Sequence, residues 1–91
     1  MTATQEETAR FEMLSKRLRQ VAALTALGFS REAIGITLRM SQHAVHAAFT
    51  RIHRVLGFES SLRLAIFIVR HPEIEKMLRA SLGSELANKP N

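Results

Sequence analysis

Apolar positions along this chain recur at spacings of three and four, and polar breaks divide them into helical stretches. Thr4 followed by Glu7 forms a capping box, so a first helix is predicted from Gln5 to about Met13, with residues 1 to 3 frayed. Ser15 caps a second helix running through Leu27, in which Leu14, Leu18, Val21, Leu24 and Thr25 keep helical spacing. Gly28 supplies the left-handed position that stops it. Ser30 caps a short helix from Arg31 to about Leu38, with Ala33, Ile34 and Leu38 inward. Arg39 and Met40 make a turn, and Ser41 caps a long helix from Gln42 to Leu56 with Val45, Phe49, Ile52 and Leu56 on one stripe. Gly57 ends that helix.

Ser60 caps the next helix, Ser61 to about Arg70. Leu62, Leu64, Ala65, Ile66, Phe67, Ile68 and Val69 cover its whole circumference, and only Arg63 and Arg70 are polar. A helix apolar all round must be covered all round, and the other short helices of the chain cover one side. His71-Pro72 interrupts it, and a last helix follows from Glu73 to about Leu82, with Gly83 as its stop. Asn88 to Asn91 read as disordered. The predicted fold is all-α, with four core helices and an extra helix at each end. The parts are an N-terminal helical extension (1–13), a central domain (14–70) and a C-terminal helix with a tail (71–91).

Short helix, tight turn and long helix, with a stop at each end, make the stretch from Gly28 to Gly57 a helix-turn-helix unit, whose second helix enters the major groove of DNA. Charge fits a polyanionic partner: 13 Lys and Arg stand against 8 Asp and Glu, a formal +5. The face of the long helix opposite its core stripe carries His43, His46, Ala47, Thr50, His53 and Arg54. Gln42 can pair with adenine, and Ala47 or Thr50 can touch a thymine methyl. Lys16, Arg39, Arg51 and Arg54 can hold phosphates, as can the helix start at Ser41. Against direct contact stands the lack of any Lys or Arg between Gln42 and Thr50.

From Leu14 to Val69 the chain resembles the LuxR/GerE-type helix-turn-helix domain, without a gap. Leu14-Ser15-Lys16-Arg17-Leu18 stands where the family has Leu-Thr-x-Arg-Glu. Val21, Leu24, Gly28 and Ser30 fall on framework positions, Ile34 and Leu38 match Glu-Ile-Ala-x-x-Leu, and Ser41 is the turn serine. Val45, Ile52, Leu56 and Gly57 follow the Thr-Val … Ile … Lys-Leu-Gly run, and Leu64 and Ala65 lie near the alanine of the last helix. Departures remove polar groups. The two family glutamates are Leu18 and Ala33, Thr-Val-Lys-x-His is Ala44-Val45-His46-Ala47-Ala48, the lysine before Leu-Gly is Val55, and the arginine after the glycine is Ser61. The resemblance implies DNA contact through His46, Ala47 and Thr50, and dimers formed through the last helix of the domain. On this chain that interface would comprise Leu62, Ile66, Phe67, Val69 and Arg70. The other reading of the same helix is an enlarged core, with the terminal helices folded back over it.

Two function classes follow. One is a dimeric transcription regulator bound to double-stranded DNA. The other is a protein-interaction module that docks another transcription protein, either a regulator or an RNA polymerase subunit. The helix-turn-helix of sigma-factor region four, similar over Leu14 to Leu56, binds both DNA and polymerase. No nucleophile–base–orienter set and no glycine-rich phosphate loop occur, so an enzyme is not expected. His43 and His46, three apart, make a poor metal site without Cys or a nearby carboxylate, and no metal or cofactor is expected. Gln5, Glu6 and Glu7 stand where a secretory signal needs basic and apolar residues, and the longest apolar run, Leu64 to Val69, cannot cross a bilayer. A cytoplasmic location without a membrane partner is expected.

Overall fold

In the computed structural model, which describes residues 3–83, the chain forms six helices: α1 (Gln5–Glu12), α2 (Lys16–Ala26), α3 (Arg31–Leu38), α4 (Gln42–Leu56), α5 (Ser61–Val69) and α6 (Pro72–Ala80). No strand occurs among the described residues. Local capping chemistry sets the boundaries. Thr4, Ser15, Ser30, Ser41 and Ser60 each accept a hydrogen bond from the third amide of the helix that follows, and Glu7 closes the box by accepting from the Thr4 amide at 2.8 Å. Gly28 and Gly57 take left-handed backbone at φ 90° and 81°. Pro72 occupies the first turn of α6, where its missing N–H costs nothing.

The centre of the fold is α2. Its residues Gln20 to Thr25 are all buried, and α3, α4, α5 and α6 pack around it. Ala22 and Ala23 allow this close approach, since a larger side chain on either would push a neighbour away. It is α2, therefore, that is covered all round. The more apolar α5 buries Leu64 and Ile68 and leaves Leu62, Ile66 and Val69 exposed. As the sequence reading expected, the other helices of the chain cover one side of α5 and leave the rest open.

Both terminal helices fold back onto the core. Phe11 of α1 stacks on Phe67 of α5 at 5.8 Å, and α1 also meets α4. Ile74, Leu78 and Leu82 are essentially fully buried. Burial of an aliphatic side chain is worth about 1.5–3 kcal/mol, against about 1 kcal/mol net for a hydrogen bond. Apolar burial thus holds α6 in place, and polar contacts fix where along α2 it sits. The main one runs from the buried Gln20 amide to the Ser81 carbonyl at 2.9 Å. Arg19 likewise closes the end of α1, donating to the carbonyls of Glu12 (2.6 Å) and Leu14 (3.0 Å). Arg17 donates to the last carbonyl of α3, Leu38, at 3.3 Å.

Fraying does not extend to Ala3, which is buried and donates its amide to Glu73 Oε1 at 2.8 Å. Residues 1 and 2, and the Asn88 to Asn91 tail expected to be disordered, lie outside the described residues.

Replacing Gln20 by Ala removes the α2–α6 bond and leaves a carbonyl without its donor, so Gln20→Ala is expected to destabilise the chain by about 2 kcal/mol in urea titration. An unchanged midpoint would mean that α6 is held by burial alone.

Candidate functional site

The turn between α3 and α4 has two constraints that its sequence does not advertise. Arg39 closes α3 in the left-handed region (φ 57°, ψ 48°), and it is the one non-glycine there among the described residues. Such a backbone costs a side-chain-bearing residue about 1–2 kcal/mol. Met40 then donates its amide back to the Gly35 carbonyl at 2.8 Å. Gly35 is buried at the crossing: a Cβ there would lie 2.9 Å from the Met40 carbonyl and 2.6 Å from Gln42 Nε2. Glycine at 35 lets the turn fold this tightly against α3, which sets the start of α4.

From that start α4 runs fifteen residues, about 22 Å. Val45, Ala48, Phe49, Ile52 and Leu56 are buried, and His43, His46, Ala47, Thr50, Arg51 and Arg54 are exposed along the other side. No acidic residue occurs in α4. Lys16 at the start of α2 and Arg39 in the turn are also exposed, as are Ser41 and Gln42. Among the described residues, the side chains of Lys16, Arg39, Arg51 and Arg54 have no hydrogen-bond or ion-pair partner. Over residues 14–58, Lys16, Arg17, Arg19, Arg31, Arg39, Arg51 and Arg54 face a single acid, Glu32. The positive charge of the chain is therefore concentrated on the part that carries α4.

Three members of the expected contact set are already engaged within the fold. The Ser41 hydroxyl accepts from the Ala44 amide at 3.0 Å, so its oxygen serves the helix first. Gln42 donates its side-chain amide to the Arg31 carbonyl at 3.3 Å, which turns it back toward α3. Thr50 donates its hydroxyl to the His46 carbonyl at 3.1 Å, leaving its methyl group and oxygen lone pairs for any ligand. His43 and His46 are exposed as a pair, and among the described residues no group of three or more His, Cys, Asp or Glu converges on one point.

His53, expected on the outward stripe, is half-buried instead. Its ring lies 6.0 Å from Phe49, whose face also carries the Arg31 guanidinium at 4.1 Å. Arg31 reaches on to the Ser61 hydroxyl at 3.3 Å, so one arginine ties α3, α4 and α5 together. The His53 Nδ1 atom is buried with no hydrogen-bond partner. One helical turn after Phe49, position 53 lies on the edge of the core stripe, and the ring shelters there.

The residues expected at a dimer interface are divided. Leu62, Ile66 and Val69 are 70%, 44% and 57% exposed and follow one another at helical spacing along α5, with Arg70 exposed at its end. Phe67 is instead engaged within the chain, packed among Phe11, Phe58 (5.2 Å) and His71 (4.0 Å). This packing comes from α1: nothing in the local pattern places Phe11 on that ring.

Comparison with protein-family models, curated proteins and solved structures finds no match to this chain. No helix among the described residues is long and apolar enough to cross a membrane.

Burial first, and then the Arg31 charge, hold the His53 pKa below its ordinary 6.5. The unfolded chain therefore takes up this proton more readily than the folded one. The His53 contribution to stability is complete above 6.5 and is lost as pH falls below it. Urea midpoints measured between about pH 7.5 and 5 are expected to fall on acidification, and to fall less in His53→Phe. Equal slopes in the two proteins would assign the acid sensitivity elsewhere.

Proposed function

We propose that this chain is a sequence-specific DNA-binding transcription regulator that acts as a dimer. In this reading α2 to α5 form a LuxR/GerE-type helix-turn-helix domain with α4 in the major groove. The observation that carries the proposal is the outward side of α4: exposed, free of acids, led by a tight turn, and set in the most basic part of the chain. A major groove about 12 Å wide admits a helix of this kind. His46, Ala47 and Thr50 would face base edges, with Ala47 and the Thr50 methyl suited to thymine. Lys16, Arg39, Arg51 and Arg54 would lie against phosphates. Ser41 and the first amides of α4 suit a phosphate as well, since the helix start carries partial positive charge. Gln42 must leave the Arg31 carbonyl before it can read a base.

The left-handed Arg39 adds support of a different kind. Glycine would occupy that backbone with no steric cost, and an arginine there trades stability for a cation beside the start of α4.

One observation favours the second reading, a module that docks another transcription protein. The first two turns of α4 present His43, His46 and Ala47 and no permanent cation. Selection of bound fragments from a random DNA pool separates the two readings. A recovered consensus, bound less tightly as salt rises, supports the regulator. No enrichment at low salt, together with a stoichiometric protein partner, supports the module.

Within the DNA reading, Arg54→Ala is expected to weaken binding to all sites alike and to lower the salt dependence by about one phosphate contact, whereas Thr50→Ala changes the preference among sites. Arg39→Gly is expected to raise thermal stability by about 1 kcal/mol while weakening DNA binding. A gain in both would remove Arg39 from the interface. Ile66→Asp, on the exposed side of α5, is expected to remain folded and to sediment as a monomer.

A further inference from the structure

Beside α5 lies an open groove of about 800 Å³. Glu7 of α1 and its capping residue Thr4 form one wall, and Leu62, Arg63 and Ile66 of α5 with Arg70 at its end form the other. Its lining combines apolar side chains (Phe58, Leu62, Ile66, Phe67) with charged ones (Glu7, Arg63, Arg70). The two arginines have no carboxylate partner among the described residues. Glu7 accepts from the Thr4 amide, and a carboxylate has lone pairs for further donors.

We infer that this groove seats α5 of a second copy, so that α1 is the outer wall of the dimer interface. The inference rests on the proposal that α5 joins two copies, and it names what that proposal leaves open. Leu62, Ile66 and Val69 form a narrow stripe, and a stable interface commonly covers about 800 Å² on each partner. Stripe on stripe alone leaves that unmet. With α5 of the partner lowered into the groove, Phe58 and the α1 wall are covered as well. Two-fold symmetry makes the arrangement reciprocal, in the order α1, partner α5, α5, partner α1.

Charge selects the direction. The Ala3–Glu73 bond holds the start of α1 at the C-terminal end of α5. An antiparallel crossing brings the N-terminal end of the partner's α5 to that place. The partner's Arg63 then lies beside Glu7, opposite charge against opposite charge. A parallel crossing would instead bring Arg70 toward the partner's Arg70.

The natural chain has no cysteine, so single cysteines can be introduced without background. One population carrying Glu6→Cys is mixed with another carrying Leu62→Cys and treated with a short bismaleimide. A cross-linked heterodimer that forms only when both variants are present is the expected product. In parallel, sedimentation measures self-association of wild type, Glu7→Gln, Arg63→Gln and the double variant. Glutamine keeps the capping box, so Glu7→Gln removes charge and leaves α1 intact. Loss of a rim ion pair weakens association about threefold, and two symmetry-related pairs about tenfold. Each single variant is expected to show that loss, and the double variant little more. A wild-type dimer with no cross-link and no effect of Glu7→Gln overturns the α1 wall and leaves pairing through α5 standing. A wild-type chain that remains monomeric at high concentration, both free and on DNA, overturns both.

Discussion

Everything in this fold depends on covering α2. Six consecutive residues of that helix, Gln20 to Thr25, are withdrawn from water, which demands neighbours in every direction around it. Among the described residues, the other helices supply that cover. That requirement explains why α3, α4, α5 and α6 converge on it and why α6 is retained against it by three buried aliphatics. It also explains the outward side of α4. With one side taken up by α2 and α3, the opposite side has no partner among the described residues and is exposed.

The same constraint separates what was legible in the sequence from what was not. Helix boundaries were legible because they are local: Thr4 with Glu7, the serines at 15, 30, 41 and 60, and the glycines at 28 and 57 act within four residues of themselves. The exposure of His43, His46, Ala47, Thr50, Arg51 and Arg54 was legible for a related reason, since periodicity within one helix settles which side is apolar. Position in the bundle was not legible. The strongest apolar run belongs to α5, yet the centre is α2, whose alanines and buried glutamine look unremarkable on any hydropathy count. The partners of Gln20, Phe67 and Ala3 lie dozens of residues away, at Ser81, Phe11 and Glu73. No pattern confined to one helix contains that information.

At the site, Gln42 and Ser41 were read as polar groups available to a ligand, and each, like the Thr50 hydroxyl, is engaged by a backbone group nearby. His53 was placed outward by its helical angle, but the Phe49 ring gives it shelter at the edge of the core. The cations behave in the opposite way. Among the described residues, Lys16, Arg39, Arg51 and Arg54 are exposed and have no hydrogen-bond or ion-pair partner for their side chains. What the surface around α4 offers is therefore weighted toward guanidinium groups and methyl groups, and away from side-chain amides and hydroxyls.

The Ala3–Glu73 bond has a bearing on how the molecule is made. It joins positions seventy residues apart, and Phe11 of the same helix rests on a ring at position 67. During synthesis α1 precedes the residues it packs on, since Phe67 and Glu73 follow Phe11 and Ala3 by dozens of residues. The phenylalanine of α1 therefore stays uncovered until α5 has emerged. Docking of α1 on α5 and α6 follows the synthesis of both, and until then α1 is a segment that nascent-chain binders would meet in its unburied form.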